Sequence, residues 1–296
     1  MAKKLLFILN PAAGRSQSRE PLFDALGVLS DAGYLLCIRT TAGRGHAEDI
    51  VRWEGAEYDA VVCCGGDGTL NETVSGLMDL PQERRPLLGY LPRGSTNDFA
   101  ASLHISANPV IAAQSFARSR PQMLDVGSWN GRAFVYVASF GAFAKSSYSA
   151  PQAAKNALGH FAYILEGVRD LNSLRPYRLR LTADGEVLEG EYLFGAVCNS
   201  TSIGGLMKLD PERVSMDDGR FELLLIPTPK SIPELQALLP ALLNQQYDRG
   251  GLIFRHVSHI LVEPEEDLPW SLDGEYAPGS RRVEITNRQG AVTMLL

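Results

Sequence analysis

The residues with the clearest chemical potential are Gly65-Gly66-Asp67-Gly68-Thr69. They follow the apolar run Ala60-Val61-Val62-Cys63-Cys64 and precede a helical pattern that begins at Leu70-Asn71-Glu72. Glycines let the backbone approach a ligand, and the first amides of a helix lack partners and carry partial positive charge. Such a turn suits phosphate. Asp67 would repel a bare phosphate, so it makes sense when a divalent cation or its water shell lies between the two. Taken alone, the motif is equally a tight Gly-Asp-Gly turn that binds nothing.

Two later stretches also carry carboxylates. In Ser271-Leu272-Asp273-Gly274-Glu275, Gly274 frees the backbone around Asp273. If the strand continues, Glu275 falls on the same side two residues on, giving a base with a supporting carboxylate. Pattern alone reads Asp273-Gly274 first as a hairpin turn. Ser215-Met216-Asp217-Asp218-Gly219-Arg220 offers a carboxylate and backbone carbonyls to a hard cation such as Mg²⁺. It is equally the lead-in to a strand, and spacing does not decide. His46, His104, His160, His256 and His259 sit in no catalytic motif. His46 lies in a candidate phosphate loop but reads first as a helix-start or solvent histidine.

These residues need elements to hold them. In the first half, short apolar runs alternate with amphipathic stretches, as in a parallel sheet covered by helices. Strands are expected at 4–9, 35–40, 60–64 and 87–91. Each runs into a small polar loop: Asn10-Pro11-Ala12-Ala13-Gly14-Arg15, Thr41-Ala42-Gly43-Arg44-Gly45-His46, the glycine-aspartate turn, and Pro92-Arg93-Gly94-Ser95-Thr96-Asn97-Asp98. Loops leaving the carboxyl ends of parallel strands gather along one edge, where open α/β sheets bind ligands. Four such loops together indicate a nucleotide site. A helix at 109–118 and a short strand at 122–126 follow, and the pattern then changes. Strands dominate from Arg132 onward, at 132–139, 177–183, 186–191, 192–199, 221–226, 258–263 and 281–286, with a hairpin signal at Asp184-Gly185. Helices are expected at 152–171 and 232–247.

The bulk numbers narrow the class. At 296 residues the chain has room for two cored domains. It is 45% hydrophobic and 21% charged, as in soluble globular proteins. A net charge of −6 argues against a general nucleic-acid binder. The four cysteines show no metal or redox spacing, which fits a reducing cytoplasm. The apolar start ends at Asn10-Pro11, too soon for a signal peptide, and no window suits a membrane span.

Taken in order, Asn10-Pro11-Ala12-Ala13-Gly14, Gly65 through Glu72, Gly94-Ser95-Thr96-Asn97-Asp98-Phe99-Ala100 and Leu272-Asp273-Gly274-Glu275 resemble the diacylglycerol kinase and sphingosine kinase superfamily. The likeness is closest to its bacterial soluble diacylglycerol-kinase-like lipid kinases and spans nearly the whole chain. The glycine-aspartate turn alone is shared with NAD kinases and is similar to one in phosphofructokinases. The two later blocks point to lipid kinases. The resemblance implies an α/β domain with a parallel sheet, phosphofructokinase/NAD-kinase-like, over residues 1–128. A mainly antiparallel β domain for the lipid follows at 129–296, with ATP in the cleft between them. Whether the last strand returns to the first domain stays open.

By position, the resemblance implies nucleotide contacts from Asn10, Thr41, Gly65, Gly66, Asp67, Gly68, Thr69, Leu70, Asn71 and Ser95, with Asp67 and Asp98 acting through Mg²⁺. Asp125 matches another acidic family position near that site. Asp273 would be the general base and Glu275 its support. The Asp218 carboxylate with the carbonyls of Ser215 and Arg220 would hold a structural Mg²⁺. The implied activity is ATP- and Mg²⁺-dependent phosphorylation of the hydroxyl of diacylglycerol or a related lipid alcohol at a membrane surface. The chain would be cytoplasmic, with peripheral attachment at the inner face of the membrane, and exposed strand edges offer a route to a homodimer. Ser95 stands where relatives often carry Thr and keeps the hydroxyl. Ala144 and Lys145 replace a polar or acidic residue common in relatives, which leaves the lipid open. Two alternatives are an NAD kinase-type enzyme and a catalytically silent nucleotide- or lipid-binding regulator. The lipid-kinase blocks oppose the first, and joint retention of Asp67, Asp98 and Asp273 opposes the second.

Overall fold

The computed structural model describes residues 2–14, 20–141, 175–203, 207–247 and 249–296. Contacts divide the chain into two compact units, Met1–Val126 with Gln289–Leu296, and Gly127–Arg288. The helix expected at 152–171 and the departure at Ala144 and Lys145 lie outside the described residues.

In the first unit β1 (Lys3–Leu9), β2 (Tyr34–Thr40), β3 (Ala60–Gly65) and β4 (Leu87–Pro92) pair in parallel in the order β2-β1-β3-β4. Strands of a parallel sheet are covered on both faces, and β3 accordingly reads as six consecutive buried residues. The end of the chain adds a further parallel strand, with Met294 opposite Leu88. Five helices are described here: α1 (Glu20–Asp31), α2 (His46–Glu54), α3 (Asp67–Met78), α4 (Asp98–Ser102) and α5 (Pro109–Arg118). Helices α1 and α5 close one face around Leu5, Phe7, Leu29, Val62 and Phe116. Helix α3 lies on the other, where Thr73 meets the Cys63 thiol.

Local chemistry explains α5. Pro109 fits the first turn, and the Asn108 side chain accepts the Val110 N–H at 2.9 Å. Pro109, Ala112, Ala113 and Phe116 then fall on one buried stripe. Gly89 on β4 makes room for the Phe116 ring, which a Cβ there would approach to 2.5 Å.

The register decides where the loops start. Leu9 pairs with Thr40 and with Cys64, and Gly65 pairs with Pro92, so the four carboxyl ends lie abreast. The chain goes from β1 outward to β2, then crosses back past β1 to β3. That reversal puts a topological switch point between β1 and β3, the place where such sheets bind ligands.

The second unit is antiparallel. Its strands are the end of β5 (Pro121–Trp129), β6 (Arg132–Phe134), β7 (Val137–Gly141), β8 (Tyr177–Ala183), β9 (Glu186–Cys198), β10 (Ser202–Ile203), β11 (Met207–Lys208), β12 (Phe221–Pro227), β13 (Ile253–Val257), β14 (His259–Pro264), β15 (Leu268–Leu272), β16 (Glu275–Ser280) and the start of β17 (Val283–Leu295). They pair in the order β16-β15-β7-β9-β8-β14-β17, and β12 lies on β9 and β13. Inward side chains, among them Trp129, Phe134, Phe140, Phe221 and Trp270, form one core. Helix α6 (Ile232–Leu243) starts with Ser231 accepting the Glu234 N–H. It stops before the expected residue 247, because Gln245 adopts a left-handed conformation (φ 55°) that ends a helix.

Two strand boundaries correct the sequence reading. The run 186–199 is not two strands but the continuous β9, because no breaker stands at Glu191-Tyr192. One edge of β9 pairs first with β8 and then with β7. The run 132–139 is not one strand. It breaks at Val135 and Tyr136, whose N–H groups leave the ladder to donate to the Asp273 carboxylate.

Glu222 is fully buried on β12 between Cys198 and His256, and neither carboxylate oxygen has a hydrogen-bond partner. Burial, with repulsion from Asp218 adding to it, pushes its carboxyl from 4.5 up to about 8. The folded state keeps this proton up to about pH 8, whereas the unfolded chain releases it near pH 4.5. Unfolding therefore releases a proton between those values, and stability falls as pH rises through the window. Thermal melts from pH 5 to 8 should show this fall, and Glu222→Gln should remove its contribution. Equal slopes in both proteins would rule out the assignment.

Candidate functional site

The loops of the first unit are tied to one another through their backbones. The Asn10 N–H donates to the Cys64 carbonyl at 2.9 Å, and Thr41 N–H donates to the Leu9 carbonyl at 2.9 Å. The Arg93 N–H donates to the Gly65 carbonyl at 2.7 Å. Asn10 holds its own turn by accepting the Ala12 N–H at Oδ1, and its Nδ2 donates to Thr69 Oγ1 at 2.8 Å. That last bond bridges the switch point between β1 and β3.

Gly66 and Gly94 meet backbone to backbone. A Cβ on Gly94 would lie 2.8 Å from Gly66 Cα and 2.7 Å from Asn97 Oδ1. Neither glycine has a positive φ, so close approach of the two turns is what excludes side chains here. Asn97, left-handed at φ 54°, folds the fourth loop by accepting the Gly94 N–H at 2.8 Å and donating to its carbonyl at 2.9 Å.

Helix α3 begins at Asp67, three residues earlier than the apolar pattern suggests, because Gly66 serves as its N-cap. Asp67 and Asp98 thus occupy the first turns of two helices, and Asp67 Oδ2 accepts the Asp98 N–H at 3.3 Å. Asp98 is buried. The buried Tyr90 hydroxyl bonds toward Asn97 Oδ1, and burial and then Asp67 hold it well above the usual phenol range. Thr69, Leu70 and Asn71 are buried, and the Leu70 N–H is already spent on the Gly66 carbonyl. Ser95 is exposed on its loop, and Thr41 is buried. Asp125 is buried at the end of β5's run through this unit, with Oδ1 accepting the Gly290 N–H at 2.8 Å. Tyr90 and Glu72 escape sequence reasoning: one sits inside an apolar strand, the other inside a helical pattern.

In the second unit Asp273 and Gly274 form the two-residue turn between β15 and β16, with φ of 50° and 82°. The strand does not continue through Asp273, so the same-side placement of Glu275 does not arise. Leu272 faces Glu275 across the hairpin instead. Asp273 is buried, and its carboxylate accepts N–H groups from Val135 (2.6 Å), Tyr136 (2.9 Å) and Val137 (2.9 Å). Its own N–H donates to the Val137 carbonyl. Glu275 pairs with Arg132 at 3.2 Å. A hairpin-turn Asp and a buried carboxylate held by three amides therefore coexist in one residue.

The acidic turn is open to solvent. Asp218 Oδ1 accepts the Arg220 N–H at 2.9 Å, and the Ser215 hydroxyl donates to Asp217 at 2.6 Å. Among the described residues, no group of three or more His, Cys, Asp or Glu side chains is arranged to hold a metal. Any cation here would rest on carbonyls and water around one carboxylate. Among the described residues no helix is long and apolar enough to cross a membrane.

Comparison with known proteins places these features. The model of the diacylglycerol kinase catalytic domain matches residues 4–129, and that of the YegS C-terminal NAD kinase beta sandwich-like domain matches residues 136–295. A diacylglycerol kinase of Bacillus subtilis (strain 168) is 33% identical over 277 residues, covering 93% of this chain and 90% of the relative. One of Staphylococcus aureus (strain MRSA252) is 32% identical over 278 residues, covering 93% and 87%. A crystal structure of a diacylglycerol kinase from Bacillus anthracis superposes with a TM-score of 0.79 at 26% identity, covering 99% and 96%.

Proposed function

This chain belongs to the diacylglycerol kinase family, and from that premise we propose that it transfers the γ-phosphate of ATP, with Mg²⁺, to the hydroxyl of diacylglycerol or a related lipid alcohol. The observation that carries the reading is the contact between Asp67 and Asp98, two acidic residues at two helix starts beside a glycine-lined turn. Carboxylates and phosphates share such a place when a hard cation lies between them. When bound, Mg²⁺ supplies neutralisation of the triphosphate charge. The bare backbones of Gly65, Gly66, Gly68 and Gly94 let phosphate oxygens come close. Thr41, Asn71 and Ser95 offer polar side chains to the nucleotide, Asn10 fixes Thr69, and Leu70 anchors the helix.

On the acceptor side, the lipid hydroxyl oxygen bonds to the γ-phosphorus as the bond to the ADP oxygen breaks, and the hydroxyl proton passes to the Asp273 carboxylate. Three amides fix that carboxylate in place as an acceptor and favour its ionised form. This suits a residue whose main work is to orient the nucleophile, with the proton taken late in a loose transition state. Glu275, two residues on, is held by Arg132 and supports the turn that carries Asp273. The Asp218 carboxylate with the Ser215 and Arg220 carbonyls fits a hydrated structural Mg²⁺.

The test is transfer of label from γ-³²P-ATP to a panel of lipid alcohols in mixed micelles with Mg²⁺, with NAD as a further acceptor. Labelled lipid is expected. Labelled NAD, or ATP binding without any labelled product, would overturn the proposal.

A further inference from the structure

We infer that Glu72 is a positioning residue: it closes the second loop and keeps phosphate off the start of α2, leaving that loop for the uncharged nucleoside part of ATP. This rests on the nucleotide reading above and goes beyond it. By sequence, Thr41-Ala42-Gly43-Arg44-Gly45-His46 is as suited to phosphate as the other loops, since it is glycine-rich and runs into a helix. Helix α2 has Gly45 as N-cap, left-handed at φ 80°, and no side chain of its own caps it. Its first amides should be open.

They are not. From α3, Glu72 reaches across with both oxygens: Oε1 accepts the Gly45 N–H at 2.7 Å and Oε2 the Ala47 N–H at 3.2 Å. Three further loop amides are also engaged. Thr41 N–H donates to Leu9, Ala42 N–H to His46 Nδ1 at 2.8 Å, and His46 N–H to the Gly43 carbonyl at 3.3 Å. A phosphate at this helix start would have to displace a carboxylate from its amides. It would also sit within contact distance of a like charge, which repels it most where water is partly excluded. At the start of α3 Gly66 likewise makes no side-chain cap bond, and Asp67 there lies beside the Asp98 N–H.

Apart from the Arg44 guanidinium, the groups that the second loop still presents are neutral. Because Nδ1 of His46 accepts an amide hydrogen, the uncharged imidazole carries its proton on Nε2. That N–H, with the Thr41 hydroxyl, matches the ribose hydroxyls and ring nitrogens of a nucleoside. Asp67 and Glu72 share one helix, so the same element that opens the phosphate turn also locks the nucleoside loop.

The experiment uses the full chain, with Glu72→Ala and Glu72→Gln. Calorimetry measures ATP, adenosine and tripolyphosphate binding, hydrogen exchange follows the amides of residues 41–50, and steady-state kinetics separate KM for ATP from kcat. In Glu72→Ala, exchange at Gly45 and Ala47 should accelerate while the rest of the unit stays protected. Affinity for ATP and adenosine should each fall about tenfold as the loop loses both charge-assisted hydrogen bonds that hold it. Tripolyphosphate affinity and kcat should hold. Glu72→Gln keeps one acceptor and should lie between. Unchanged adenosine affinity, or a parallel loss for tripolyphosphate, overturns the inference. If the wild type binds no ATP, the nucleotide reading fails by itself, and the exchange data still decide whether Glu72 fixes the loop.

Discussion

Asp273→Asn is expected to lower kcat for lipid phosphorylation by ~10²–10⁴-fold, the range for loss of a positioned base, while ATP affinity stays unchanged. The substitution is not conservative here. The carboxylate accepts three N–H groups, and an amide offers a single acceptor oxygen. If that oxygen keeps Tyr136 and Val137, the new NH₂ faces the Val135 N–H, donor against donor. A buried donor left unmet costs ~1–3 kcal/mol, so the melting temperature should fall as well. The two effects separate by measurement. ATP binding, proposed above for the loops of the first unit, reports whether those loops stay competent, and the melting temperature reports the fold around Asp273. A rate loss with intact ATP affinity assigns chemistry to Asp273. A rate loss that tracks lost ATP binding would make Asp273 a structural anchor of the β6–β7 break and remove it from the mechanism.

Asp273 also shows where sequence reading reaches its limit. The hairpin at Asp273-Gly274 is legible from two residues, and it is there. The destination of the carboxylate is not legible, because Val135 to Val137 lie more than 130 positions away and look like ordinary strand. That hidden partnership also explains why one expected strand is two. Strand β13 goes unread, and β15 and β16 are legible only at the turn that joins them, for a more local reason. Ile253–Val257 carries a charged and a basic residue in five, while Leu268–Leu272 and Glu275–Ser280 each contain a proline. Their membership in the sheet comes from neighbours and not from their own composition.

The first unit was more legible. β1, β3 and β4 are apolar runs ended by small-residue loops, and buried parallel strands leave that signature; the edge strand β2 reads alike in composition but has no buried residue. Strand order was beyond reach, and with it the switch point that brings Asn10 to Thr69. Close packing of Gly66 on Gly94 was likewise invisible, since it depends on two loops in register. Sequence singled out four loops as equivalent. Side chains distinguish them, and Glu72 does so from inside a helix.

The second large effect is expected at Asp67. Asp67→Asn should lower kcat/KM for Mg·ATP by ~10²–10³-fold, the scale for removing one preorganised electrostatic contact to a reacting group, and should raise the Mg²⁺ concentration needed for activity. Loss of helix stability does not account for a change of that size, because an acidic side chain in a helix first turn contributes only ~0.3–1 kcal/mol. The sharper reading lies in the sign. In the site proposed above, Asp67 and Asp98 would repel bare triphosphate and attract it once a cation intervenes. Metal-free ATP should therefore bind Asp67→Asn more tightly than wild type, and Mg·ATP should bind it more weakly. Calorimetry with and without EDTA measures both. A residue that only begins a helix would move the two affinities in the same direction. Opposite shifts require that a cation stand between Asp67 and the phosphates, and two shifts of one sign would remove Asp67 from the metal's surroundings.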